Sequence, residues 1–317
     1  MRRLTTILLG CALLVGAAAP AIAEDVLKLA VPQRGAWDTG IEELGQRSGI
    51  FARHGLRLEI LYTSAGPESI QALIAGSVDI ATASGANAAF GTYAKGAPIR
   101  IIGSEIIGSP DLYWFVPAAS PIRKVEDFNG KTVGFSLPGS SSHAGLLALV
   151  AQHHLQVRPV STGNLASTLT QTMTGQIDVG WSAVPYALDK AADGEIRIIA
   201  TGNDVAALRT RTGRVNLTNV ATLTKRKDAL KRFVAAYNET VAWMYASPDA
   251  LKMYGEFAKL PPSAVNKVRG LVPQETLATD KIVGVDQLMA EAIQNKFLTK
   301  PLTKDQLAEL IRIDELK

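Results

Sequence analysis

The 317-residue chain carries 33 basic and 29 acidic residues for a net charge of +4, and it has a single cysteine, Cys11. A charge so small and so scattered argues against nucleic acid as a partner, and one cysteine excludes an internal disulfide or a thiolate metal site. A chain of this length buries roughly 75% of its unfolded surface and needs no staples.

In chain order, the first segment reads as a secretory signal spanning residues 1–23. Met1-Arg2-Arg3 gives the positive start, residues 7–19 are apolar, and Ala21-Ile22-Ala23 is a cleavage site. The apolar run is shorter than the ~20 residues a spanning helix needs, so export to the periplasm is expected. Residues 26–31 then form a short apolar strand. Residues 32–40 form a loop with Arg34, Gly35 and Trp37. Residues 41–54 have Ile41, Leu44 and Phe51 on one side and Gly55 as a helix stop. Residues 56–62 alternate as a strand. Ser64 and Gly66 sit in a polar turn before a helix over 69–75. Residues 78–83 read as a buried strand, and Ser84, Gly85 and Asn87 lead into a helix over 88–95.

Strands follow over 99–102 and 113–116, then a helical turn over 124–128 and a strand over 131–136. Gly139-Ser140-Ser141-Ser142-His143 is a second polar turn, ahead of a helix over 144–154. Residues 162–174 read as a helix, 177–181 as a buried strand ending at Trp181, 185–192 as a helix carrying Tyr186, and 196–200 as a strand. Residues 205–217 are polar and arginine-rich. A strand over 220–224 and a long amphipathic helix over 228–245 come next. Ser247-Pro248 caps another helix, and the remainder is helical with breaks at Pro261-Pro262 and Pro301.

The chain also repeats itself. Gly55 precedes Asp79 by 24 residues, within Gly76-Ser77-Val78-Asp79-Ile80-Ala81. His154 precedes Asp178 by the same 24, within Gly175-Gln176-Ile177-Asp178-Val179-Gly180, which places the copies 99 residues apart. Two similar units predict two lobes with a ligand cleft between them. The class is α/β: two lobes, each a mostly parallel sheet flanked by helices, joined by a two-segment hinge. Lobe 1 takes residues 24–115 and returns over 218–317; lobe 2 takes 116–217. The crossings are expected near 113–118 and 217–222. Asp79 and Asp178 are assigned to structure, at the strand starts of both units.

In open α/β sheets ligands bind beyond the C-terminal strand ends. The candidate ligand residues are therefore Arg34 and Trp37; Ser64 and Gly66; Ser84, Gly85 and Asn87; Gly139, Ser140, Ser141, Ser142 and His143; and Trp181 with Tyr186. Helix starts offer free N–H groups that suit an anion, although a single serine N-cap is equally well explained by helix capping. Trp37, in a glycine-flanked loop, is expected outside the core. Arg209, Arg211 and Arg214 read as a solvated face, or else as an anion funnel. His153 and His154 point apart and make a poor metal pair. No dinucleotide, P-loop, zinc-protease or nucleophile-elbow pattern is present, and no cofactor or metal is expected.

Three stretches, Ala72 to Ile80, Val133 to Ser141 and Gly175 to Val179, together with Pro185-Tyr186 and Asn219-Val220-Ala221-Thr222-Leu223, carry a resemblance. The chain resembles the periplasmic substrate-binding proteins of ABC importers in the nitrate, sulfonate and taurine group. The resemblance implies a type II two-lobed fold working as a monomer, a ligand held by the five turns, and delivery to a membrane permease powered by an ATPase. Val179-Gly180-Trp181-Ser182-Ala183-Val184 departs from that group's pattern before Pro-Tyr. Few acidic residues lie in the turns, Asp38 and Glu68 only at their edges, so a small organic anion is the expected ligand. Two other readings are an enzyme on the same fold related to pyrimidine synthesis, with His143 as its candidate residue, and a ligand-binding sensor module.

Overall fold

The computed structural model describes residues 24–317; residues 1–23, read above as a signal segment and including Cys11, lie outside them. β1 (Asp25–Pro32) and β2 (Leu56–Thr63) pair in parallel from Asp25 opposite Leu56 to Pro32 opposite Thr63. Between them the chain forms α1 (Ile41–Arg47) and α2 (Ile50–Arg53) rather than the one helix expected over 41–54. Gly49 adopts φ +76°, the left-handed conformation that ends α1 and re-aims the chain. Both pieces then pack on one long helix later in the chain. After β2 come α3 (Gly66–Ile74), β3 (Ile80–Gly85), α4 (Ala86–Ala94) and β4 (Ile99–Ile107).

The chain then enters a second set of strands: β5 (Leu112–Pro117), β6 (Thr132–Phe135), α5 (Ser141–Gln152), β7 (Arg158–Ser161), α6 (Leu165–Met173), β8 (Gly180–Ala183), α7 (Leu188–Ala192) and β9 (Ile196–Thr201). A short α8 (Ala206–Arg209) leads into β10 (Thr212–Asn219), followed by α9 (Val220–Lys225), α10 (Lys227–Ala246), α11 (Pro248–Ala258) and further short helices. The first sheet has the order β2-β1-β3-β10-β4; β8-β5-β9 form a second sheet and β6-β7 a third. By sheet membership the chain leaves the first sheet after Ile107 and returns to it at Thr212, a few residues ahead of both expected crossings.

The α/β class with sheets flanked by helices holds. The pairs β1–β2, β1–β3 and β6–β7 are parallel, whereas β5 and β10 run antiparallel to both of their neighbours. A strand arriving from the other sheet enters from the opposite end, so the two strands next to the crossings run against the rest. Two core clusters coat the first sheet. Leu27, Phe51, Phe233 and Tyr254 lie on one face, and Ile70, Phe90 and Leu217 on the other. Trp114, Phe128, Phe135 and Leu149 form the core of the second unit.

The arginine-rich stretch is the main correction. Thr212–Asn219 is the buried fourth strand of the first sheet, and residues 220–225 are helical, not a strand. The Asn219 side chain accepts from the Thr222 backbone N–H at 2.8 Å and starts the helix there. Arg211 and Arg214 tolerate burial because carboxylates pair with them.

The internal repeat has a structural counterpart. The Asp79 carboxylate accepts from the Lys28 backbone N–H at 2.9 Å and pairs with Arg226 at 3.1 Å. The Asp178 carboxylate accepts from the Thr132 N–H at 2.8 Å and from its hydroxyl at 2.6 Å. Each aspartate thus ties the lead-in of one strand to its neighbour in its own unit. Replacing either by Ala is expected to lower stability by about 1–3 kcal/mol, read as a lower urea midpoint, with ligand preference unchanged.

Candidate functional site

Side chains from both units converge at the C-terminal ends of β1, β3 and β6. They enclose a cavity of about 30 Å³ lined by Gln33, Asp38, Thr39, Ala65, Gly66, Ala83 and Arg214 on one side. Leu112, Ser136, Ser140, Ser141, Ser142, Trp181 and Ala183 line the other, and Asp111 joins the first side from the crossing between the units. Two lining residues, Gln33 and Ala83, hold positive φ (52° and 48°), a conformation that costs energy without glycine and that clusters at functional sites.

Three contacts close the cleft. The Gln33 side chain accepts from the Leu165 N–H at 3.1 Å. The Trp37 N–H donates to the Val184 carbonyl at 3.1 Å. Arg214 Nη1 lies 3.4 Å from the Ser141 hydroxyl. The backbones also meet: a Cβ on Gly85 would stand 3.2 Å from both Gly139 O and Ser141 N, so glycine is what permits this approach.

The serine side is the start of α5. Ser140 caps it, its hydroxyl accepting from the His143 N–H at 3.1 Å. The Ser142 hydroxyl links Ser140 and Ser136 at 3.0 and 2.9 Å. A helix leaves its first N–H groups without intrahelical partners, and here they open beside Arg214, an arrangement suited to an anionic oxygen.

The opposite side is acidic. Arg214 Nη2 pairs with Asp38 at 3.0 Å and Asp111 at 2.8 Å, and its Nε with Glu105 at 3.0 Å. Burial works against the Arg214 charge, but Asp111, Asp38 and Glu105 together push its pKa well above the ordinary range. Burial raises Glu105 well above a usual carboxylate, with Asp38 adding to the effect and Arg214 opposing it. Burial also raises Asp111, against the pull of Arg214. Glu42, on α1 behind Asp38, is pushed up to about 7 by burial.

A family model described as NMT1/THI5 like matches residues 43–251. The chain belongs to this family. No curated protein sequence matches it. Among solved structures, the alkanesulfonate-binding protein SsuA from Xanthomonas axonopodis pv. citri, bound to MOPS, superposes with a TM-score of 0.77 at 20% identity, covering 92% of this chain and 99% of that one. The periplasmic aliphatic sulphonate-binding protein SsuA from Escherichia coli gives 0.71 at 20%, covering 90% and 92%. The periplasmic nitrate-binding protein NrtA from Synechocystis PCC 6803 gives 0.72 at 14%, covering 92% and 87%. The fold is therefore the two-lobed periplasmic-binding-protein fold, as the sequence resemblance implied.

In this NMT1/THI5-like chain the expected site residues divide. Gly66, Ser140, Ser141, Ser142 and Trp181 line the cavity, with Trp181 Nε1 donating to Thr162 at 3.1 Å. Gly85 and Gly139 make the backbone approach beside it. The rest stand elsewhere. Trp37 is wholly buried in the core between Tyr245 and Tyr254, its Nε1 donating to the Tyr245 hydroxyl at 2.9 Å, because the loop folds inward under α11. Arg34 is exposed and stacks over Phe257 at 4.6 Å, a cation–π contact rather than an anion clamp.

Ser64 is outside the lining, its backbone N–H donating to Glu68 at 2.8 Å. Ser84 and Asn87 are buried outside the lining. His143 stacks on Phe135 at 4.4 Å, and its Nδ1 accepts from the Gly139 N–H at 3.2 Å; burial lowers its pKa, favouring the neutral ring. Tyr186 packs half-buried with its carbonyl accepting from Ser182 at 3.2 Å. Arg209 is exposed, as a solvated residue should be.

Gln33, Thr39, Asp111 and Ser136 lie outside the set expected from sequence, where nothing local marks them; Arg214 enters that reading only through the anion-funnel alternative for the arginine cluster.

The raised acids set the pH response. Glu42 gives up its proton near 4.5 when unfolded and at about 7 when folded, so the folded state holds more protons between these values. Its contribution to stability is full below 4.5 and is lost as pH rises towards 7. Glu105 and Asp111 shift with the same sign. Urea midpoints are expected to fall between pH 5 and pH 8, and Glu42→Gln is expected to make that decline shallower.

Proposed function

We propose that the protein is the periplasmic solute-binding component of an ABC importer. It captures a small organic anion in the cavity between two lobes and hands it to a membrane permease. The lobes are residues 24–111 with 212–317, and residues 112–211, and the two crossings act as the hinge. The observation that carries this reading is the cavity itself, lined from both units and bridged by Arg214 and Ser141. The free end of α5 and its serine hydroxyls receive the anionic group. The sulfonate- and nitrate-binding proteins that share the fold support an anionic cargo, and a neighbour described as the ligand-binding component of an ABC-type import system from Staphylococcus aureus supports an importer partner. Export by the N-terminal segment and action as a monomer without cofactor complete the reading.

Binding rather than turnover fits the chemistry of the cavity. The histidine weighed as catalytic is stacked on Phe135 with its Nδ1 already engaged, outside the cavity lining. No nucleophile in the cavity has a neighbouring base that is itself oriented by a third group.

The test is a thermal-shift screen of the purified protein against sulfonates, nitrate, aromatic carboxylates, pyrimidines and amino acids. A ligand present at a hundred times its Kd stabilises the fold by roughly 2.7 kcal/mol. A shift with an anionic class is expected, with affinity at least tenfold weaker in Ser140→Ala/Ser141→Ala. Lost capping accounts for only ~1 kcal/mol of stability, so the variant remains folded. Absence of a shift with every class would overturn the reading.

A further inference from the structure

Outside the cavity, one aromatic side chain crosses between the units. The helix Val285–Gln294 stops in a left-handed turn: Lys296 holds φ +62°, and the Phe297 N–H donates to the Ala292 carbonyl at 2.7 Å. Glycine usually takes that turn position, so a lysine there holds backbone strain in place. The turn sets Phe297 against α4. A Cβ on Gly91 would stand 2.6 Å from Phe297 O, so only glycine lets the two backbones meet. Leu298 and Leu302, which follow, are buried in the first unit's core with Phe90 and Leu288. The base of this segment therefore belongs to the first lobe.

The Phe297 ring reaches the second lobe. Its Cε1 lies 3.5 Å from where a Cβ of Gly139 would stand. It meets the His143 ring at 88° with centroids 6.5 Å apart, an edge-to-face geometry that aromatic pairs favour. His143 is itself fixed, stacked on Phe135 with its Nδ1 accepting from the Gly139 N–H. Both contacts are thus with the turn that starts α5. Beside the ring is a hollow of about 160 Å³, lined by Pro67 and Ala88 of the first lobe and Pro138 of the second. The lobes are not packed solid along this seam, and Phe297 is the one aromatic side chain in the lining.

We infer that Phe297 is an interlobe latch: anchored in the first lobe, it holds the α5 turn of the second and sets the fraction of molecules that are closed. It is a positioning residue, since it lines no part of the ligand cavity. The inference rests on the proposed reading in which the two crossings act as a hinge. Opening that hinge pulls Gly139 and His143 off the ring and returns apolar surface to water. Apparent affinity scales with the fraction of molecules competent to bind. The latch therefore strengthens binding of every cargo by one factor and does not choose between cargoes.

Interlobe distances test the latch. Spin labels are placed at Ser77→Cys and Gln176→Cys, exposed positions that the internal repeat makes equivalent in the two units. Cys11→Ser leaves no other cysteine. Double electron–electron resonance is expected to show a closed population, at the separation of this structure, and an open one. Phe297→Ala is expected to cut the closed fraction at least threefold, and Phe297→Tyr, which keeps the ring, to leave it within twofold. Adding His143→Ala to Phe297→Ala is expected to shift it no further, because both remove the same contact. Should Phe297→Ala not fold, Phe297→Leu, which keeps apolar bulk without the ring, is read in the same way. A closed fraction unchanged in the folded variant, or lost equally in Phe297→Tyr, would overturn the latch. Titration with ethanesulfonate and nitrate separates that result from failure of the binding reading. Affinities that fall by the same factor as the closed fraction support both. Populations that shift while neither anion binds would leave the latch standing and overturn the anion site.

Discussion

Arg214 is the constraint on which the cleft depends. A guanidinium at 8% exposure must be paired, because an isolated buried charge costs several kcal/mol. Its partners come from four places: the turn before α1 (Asp38), β4 (Glu105), the outgoing crossing (Asp111) and the start of α5 (Ser141). Arg214 itself stands early in the returning strand β10. One side chain therefore joins both crossings, the first sheet and the second unit. Its pairing also bears on the charge of the cavity, since two of the three carboxylates that hold it, Asp38 and Asp111, also line it.

The same ion cluster explains why the buried acids Glu105 and Asp111 have raised pKa values. Three carboxylates around one cation cannot all ionise cheaply at low dielectric. Burial and mutual repulsion raise Glu105 and Asp111, and Glu42 nearby follows through its own burial. A site built this way responds to charge on both sides: hydroxyls and helix N–H groups facing carboxylates across a short gap.

Glycines and tight turns let the two units come this close. Gly85 faces Gly139 and Ser141 across the cleft, where any Cβ would press on backbone atoms. Gly139 has φ +88°, which turns the chain so that Ser140 can cap α5. Asp79 and Asp178 anchor the strands behind these turns in equivalent ways. The turns can then face each other without rearranging the sheets beneath them.

Local pattern was enough to read the α/β class, most strands and the two-unit plan, because strand alternation, glycine helix stops and the Asp79–Asp178 spacing are short-range signals. It also located Gly139 to Ser142, whose capping chemistry lies within five residues. It misplaced Trp37, Arg34 and the strand carrying Arg214. Whether a tryptophan in a loop is buried depends on Tyr245 and Tyr254, more than 200 residues away. Whether an arginine in a polar run is a solvated face or the centre of a site depends on carboxylates about 100 and more residues distant, at 105, 111 and 38. The sequence by itself determined the fold class and the helix-start half of the cleft. Only the tertiary structure decided the acidic half, because long-range pairing, not local propensity, determines which charges a core can bury.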